Sequence, residues 1–243
     1  MKNKIFFIFV FTLGLTGAFT LQGCGPARSN SPGSEAPSEE PSEASPEVQI
    51  ALNNVETPKA ASVGAKVSSN GIFKSLPVYS DAKSPDNHFI PSGWMGDYGD
   101  MKYNDKYMVN PHGGTTSVQI IYSNAATQGA RWAGIYWQNP PNNWGTRPGG
   151  YDLTGAKKLT FWARGEKGGE RIEEFKIGGI TGEYADSDVA GIGPVVLTTD
   201  WQQFTIDLEG KDLSSISGGF CWATNLDVNP DGATFYLDDI RYE

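Results

Sequence analysis

In the stretch Lys158-Leu159-Thr160-Phe161-Trp162-Ala163-Arg164, apolar Leu159, Phe161 and Ala163 alternate with Thr160, Trp162 and Arg164. Side chains of a strand point alternately to its two faces, so this pattern is a β-strand with one buried face and one face turned outward. A helix would group its apolar residues every three or four positions, and such spacing is nearly absent from the chain. Working outward, the same period recurs. Gln202 to Leu208 alternates Phe204, Ile206 and Leu208 with Gln203, Thr205 and Asp207. Thr116 to Tyr122 aligns Val118, Ile120 and Tyr122. In Arg131 to Gln138, Ala133, Ile135 and Trp137 oppose Trp132, Gly134 and Tyr136. Further strands are predicted at Glu174 to Ile177, Pro194 to Thr198, Phe220 to Thr224 and Thr234 to Tyr242.

Clusters of Gly, Pro, Asn and Asp separate these runs. Asn229-Pro230-Asp231-Gly232 is a turn between the last two strands, and Asn139-Pro140-Pro141-Asn142-Asn143 is excluded from any central strand. Gly165 to Gly169 and Gly191 to Gly193 read as hairpin turns, because they lack the strand–loop–helix setting of a phosphate cradle. Eight or more strands with one buried face each predict an all-β fold of antiparallel sheets, a sandwich or barrel.

The N-terminal third reads differently. Lys2 and Lys4 precede an apolar run from Ile5 to Phe19, shorter than the ~20 residues of a membrane span. It ends in Leu21-Gln22-Gly23-Cys24, which resembles the lipobox of bacterial lipoproteins. That resemblance implies a signal peptide over residues 1–23 and acylation of Cys24, hence an exported protein anchored through lipid to a membrane of the cell envelope. Residues 25–50 hold six Ser, five Pro and five Glu with one basic residue, too few apolar groups to offset the entropy of ordering. Residues 24–69 are therefore expected to be a disordered tether, and residues 70–243 the folded domain. With Cys24 acylated, Cys221 has no partner for a disulfide, and its apolar setting in Gly218-Gly-Phe-Cys-Trp-Ala223 marks a buried hydrophobe.

Net charge is −9 and no basic stripe is present, which argues against nucleic acid as a partner. His88 and His112 lie in separate loops without Cys or His nearby, which argues against zinc. Asp186 with Asp188, and Asp97 with Asp100, read as solvated loop carboxylates rather than an acid/base pair for glycoside hydrolysis. Adjacent Asp238 and Asp239 are expected on opposite faces of the last strand.

The closing run Ala233-Thr-Phe-Tyr-Leu-Asp-Asp-Ile-Arg-Tyr242 resembles the last strand of jelly-roll carbohydrate-binding modules of the galactose-binding-like group. Tyr151-Asp-Leu-Thr-Gly-Ala-Lys-Lys-Leu-Thr-Phe-Trp-Ala-Arg164 and Asp200-Trp-Gln-Gln-Phe-Thr-Ile-Asp-Leu208 are similar to two of its other passages, in the same order. The resemblance implies a two-sheet antiparallel jelly-roll β-sandwich. By analogy it also implies a structural calcium ion held by Asp238, with Asp81 as partner.

All seven Trp and all ten Tyr lie in the domain. Exposed aromatics can stack on the C–H faces of sugar rings while polar neighbours bond the hydroxyls. Trp137 shares a face with Ala133 and Ile135 and is assigned to the core. Trp162, with Arg164 beside it, is assigned to an outward sheet face, and Trp94 and Trp144 to loops closing the same site. The expected function is binding of a polysaccharide or oligosaccharide without cleavage. A protein-interaction or assembly lipoprotein with the same fold, and last a glycan-active enzyme, stay open.

Overall fold

The computed structural model describes residues 65–66, 68–69 and 72–243. The signal segment, Cys24 and most of the expected tether lie outside the described residues. Among the described residues the first strand, Ala65–Lys66, runs parallel to Tyr151–Asp152.

The principal strands are β1 (Leu76–Tyr79), β2 (Ile90–Gly96), β3 (Met101–Tyr107), β4 (Ser117–Tyr122), β5 (Trp132–Gln138), β6 (Lys158–Gly165), β7 (Glu174–Gly178), β8 (Val189–Ile192), β9 (Gln202–Asp207), β10 (Gly218–Asn225) and β11 (Ala233–Tyr242). They form a two-sheet antiparallel jelly-roll sandwich. The six-stranded sheet runs β9-β6-β11-β4-β3, with β1 pairing the end of β11. The five-stranded sheet runs β8-β7-β10-β5-β2.

The alternation predicted in β4, β5, β6 and β9, together with the predicted strand β11, builds the core. Leu159, Phe161 and Ala163 of β6, with Val118 and Ile120 of β4 and Phe235 and Leu237 of β11, are almost fully buried. They meet Ile135, Trp137, Phe175, Ile177, Phe220 and Trp222 of the other sheet. Phe161 lies 4.6 Å from Phe175 and 5.2 Å from Phe220, ring centre to ring centre, and Trp222 lies 4.9 Å from Phe235. Rings of the two inner faces interleave, as face-to-face sheet packing requires.

Several elements depart from the sequence reading. Ile90–Gly96, with its Pro and Gly residues, is an edge strand and not a loop. Gly93 is required there, because a Cβ would come 2.8 Å from the Tyr136 Cβ across the pair. Gly191 lies inside β8 opposite Lys176, and not in a hairpin turn. The strand expected over Pro194–Thr198 shrinks to Val195–Val196, which pairs with Arg171–Ile172. Among the described residues the one helical turn is Tyr98–Asp100.

Carboxylates fasten the loops. Asp97 is fully buried and accepts from the backbone N–H groups of Ala130 and Arg131 at 2.9 and 2.7 Å. Asp186 accepts from Ile180, Ser217 and Gly218, and its burial raises its pKa. These are not the solvated carboxylates the sequence suggested. Each satisfies N–H donors that a turn leaves without ladder partners, which is why a loop can be buried at all.

Candidate functional site

The outer face of the five-stranded sheet is built by register. Lys176 of β7 stands opposite Cys221 of β10, which stands opposite Tyr136 of β5, which stands opposite Gly93 of β2. The next row is Glu174, Ala223, Gly134 and Met95, and beyond it Asn225 pairs with Trp132. Because Phe175, Ile135, Phe220 and Trp222 turn inward, these rows turn outward. In the middle of the face Ala223 is partly exposed beside Glu174 and Lys176, while Gly134 is covered by the Met95 methyl from the far flank. We call this outer face, three inter-strand steps or about 14 Å across, the trough.

Aromatics close both ends of the trough. Tyr136 lies across the sheet, its hydroxyl donating to the Gly178 carbonyl at 3.0 Å, with the Lys176 ammonium 5.5 Å from its ring centre. Trp144 meets Tyr136 edge to face at 5.8 Å and remains 41% exposed. Four residues back along β5, about 13 Å, Trp132 is 36% exposed. Both indoles keep surface available for stacking. Lys176 and Glu174 form an ion pair at 2.8 Å and supply donors and acceptors along the flank. Cys221 sits beneath this layer, and burial pushes its thiol pKa far above the ordinary range, so it is no nucleophile.

The loop bearing Trp144 is rigidly held. Gln138 and Asn143 are fully buried; the Gln138 side chain donates to the Asn143 carbonyl at 3.0 Å and accepts from the Ser92 hydroxyl at 2.9 Å. The Asn142 N–H donates to Ser92 Oγ at 2.9 Å. Buried polar groups satisfied in this way fix one loop geometry.

The predicted site residues fall in three places, and not in one site. Trp144 stands over the five-stranded sheet. Trp94 is on strand β2, opposite Ile135, and packs edge to face on Tyr103 at 5.9 Å at the sandwich margin, not in a loop. Trp162 and Arg164 do face outward as predicted, but from the six-stranded sheet on the opposite side of the molecule. There His112 stacks on Trp162, centroids 3.7 Å apart at 16°, so one indole face is taken. Arg164 lies 3.7 Å over the Tyr236 ring and 5.2 Å from Trp201. The alternation of β6 was legible, but which sheet each strand joins was not. The trough residues Gly134, Tyr136, Lys176 and Ala223 were missed as a group because only the cross-strand register unites them; Trp132 was signalled by its opposition to Ala133.

Asp238 and Asp239 do not point to opposite faces. Asp239 takes a left-handed backbone conformation, φ 46°, which breaks the alternation, and both carboxylates reach the same loop. Asp238 accepts from the His112 and Gly113 N–H groups at 2.9 and 3.1 Å, and Asp239 lies 2.7 Å from His112 Nδ1. Burial raises the Asp238 pKa to about 6. Asp81 Oδ1 accepts from the N–H and hydroxyl groups of both Thr115 and Thr116, which hold its pKa below the usual range. The two residues put forward as calcium ligands thus each accept from protein donors. Among the described residues no three His, Cys, Asp or Glu side chains gather around either of them.

No family model matches the chain, and no curated protein matches it. Among solved structures it is similar to carbohydrate-binding modules. A family 30 module is 17% identical, with a TM-score of 0.49, over 70% of this chain and 99% of that one. The family 11 module of a cellulosomal cellulase of Clostridium thermocellum is 13% identical, with a TM-score of 0.41, over 67% of this chain and 91% of that one. A family 29 module from Piromyces equi is 15% identical, with a TM-score of 0.41, over 70% and 89%.

Proposed function

We propose that the domain binds a polysaccharide or oligosaccharide chain in the trough of the five-stranded sheet, without cleaving it. The observation that carries this reading is the pair of exposed indoles, Trp132 and Trp144, at the two ends of the outer face of β5. A sheet face with an exposed indole at each end suits the C–H faces of sugar rings, and the Lys176–Glu174 pair suits their hydroxyls. Glu174 on the flank is engaged by Lys176, and Asp186 beside Tyr136 is engaged by backbone N–H groups, which supports binding over hydrolysis. Single stacking contacts contribute on the order of 1 kcal/mol beyond area burial, so each domain binds weakly.

We further propose that the chain is an exported lipoprotein anchored by acylation at Cys24, as the lipobox resemblance suggests. Many copies on one membrane then gain avidity through effective concentration. An array of β-glucans, mannans, xylans and envelope polymers, probed with the full chain, tests the binding reading. Retention of no glycan on such an array would leave the protein-interaction reading in its place.

A further inference from the structure

The outer face of the six-stranded sheet carries a cation that the protein does not neutralise. Arg164 is 8% exposed, and its Nε is buried without a hydrogen-bond partner. Among the described residues no ion pair involves it. The carboxylate of Glu166, two residues along the strand direction, accepts instead from the Tyr236 hydroxyl at 2.5 Å. A buried charge normally has a counter-charge, because desolvation is otherwise uncompensated. Here the guanidinium is held by rings, with Tyr236 at 3.7 Å and Trp201 at 5.2 Å. Trp201 is itself fixed, donating from Nε1 to the Asn110 carbonyl at 3.0 Å. The cation is therefore positioned but unpaired.

We propose that this face is a second ligand site, and that it takes a uronate unit of an acidic polysaccharide. A planar guanidinium matches a carboxylate by paired hydrogen bonds. Trp201 and Trp162, both partly exposed, lie beside it and suit the sugar ring that bears the carboxylate. Gln203, exposed and in register with Trp162, and Thr205, exposed and in register with Thr160, offer donors and acceptors to the hydroxyls along the neighbouring strand. An acidic peptide would find the carboxylate partner but not the use for the flanking indoles. The site is on the side of the sandwich away from Trp144, so the two sites are independent.

Calorimetric titration of the full chain with oligogalacturonate, its carboxyl-reduced neutral counterpart and poly-glutamate tests this. Wild type should bind oligogalacturonate, more weakly as salt is raised. Arg164→Gln should lose about tenfold or more, and Arg164→Lys, which keeps the charge without the fork, should fall between. Trp144→Ala should leave oligogalacturonate binding unchanged, which separates this site from the trough whatever the trough binds. Equal oligogalacturonate affinity in wild type and Arg164→Gln would overturn the proposal, and so would poly-glutamate binding as tight as oligogalacturonate. Should Arg164→Gln not fold, competition on wild type decides: the carboxyl-reduced chain must fail to displace oligogalacturonate, and displacement at equal concentration refutes the site.

Discussion

Trp144 stands edge to face on Tyr136, centroids 5.8 Å apart, while Tyr136 is bolted across the sheet by its hydroxyl on the Gly178 carbonyl. A buried ring thus positions an exposed one. Replacing the exposed partner should cost function and little else. Trp144→Ala is expected to weaken glycan binding about five- to tenfold, the equivalent of ~1 kcal/mol or slightly more. The midpoint of denaturant unfolding should stay nearly unchanged. A large fall in the midpoint would mean that Trp144 plugs the sandwich end instead.

Trp162 behaves oppositely. Its stack on His112 joins the loop before β4 to the six-stranded sheet, and His112 is anchored further by Asp238 and Asp239. Trp162→Ala should therefore lower unfolding free energy by about 1–2 kcal/mol beyond what its lost area explains. It should leave neutral glycan binding in the trough intact. Denaturant titration and glycan titration of the same variant read both, and an unchanged stability would show that the stack contributes nothing.

Asp238 makes stability depend on pH. Its folded pKa, raised by burial to about 6, lies above the ~3.9 of an unfolded aspartate. The folded state thus holds the proton more tightly than the unfolded state. The resulting stabilisation is complete below the unfolded value and is lost as pH rises through about 6. Wild type should gain on the order of 2 kcal/mol relative to Asp238→Asn between pH 6.5 and pH 4. Asp186 shifts the same way and Asp81 the other way, so the difference between the two proteins is the quantity to follow. Parallel stability curves would contradict the burial of a charged Asp238.

Much of the fold was legible because alternation depends on local sequence alone. Leu159, Phe161 and Ala163 had to face one way, and Phe204, Ile206 and Leu208 likewise, whatever their neighbours. The edge strand Ile90–Gly96 was not legible, since Pro91, Gly93 and Gly96 mimic a turn. Its glycines answer to Tyr136 and Trp132 on the partner strand, contacts that only pairing creates. The same reason hid the trough. Gly134, Ala223 and Lys176 are unremarkable one by one and become a surface only when β5, β10 and β7 align. Asp239 was misread because a left-handed residue inside a strand cannot be inferred from a period of two.

The anchor is tested by labelling. Palmitate should be incorporated into wild type and not into Cys24→Ala. Equal labelling of the two, or of neither, would remove the lipid anchor and with it the avidity it lends.

The central claim is that sugar lies on the floor of the trough, and filling the floor tests it most directly. Ala223 is partly exposed between Glu174 and Gly134, so an arginine there can be accommodated outward without disturbing the core. Calorimetric titration of wild type and Ala223→Arg with whichever neutral glycan the array retains gives the answer. Binding by wild type that becomes undetectable in a normally folded Ala223→Arg is the predicted result. Unchanged affinity in that variant would contradict the account.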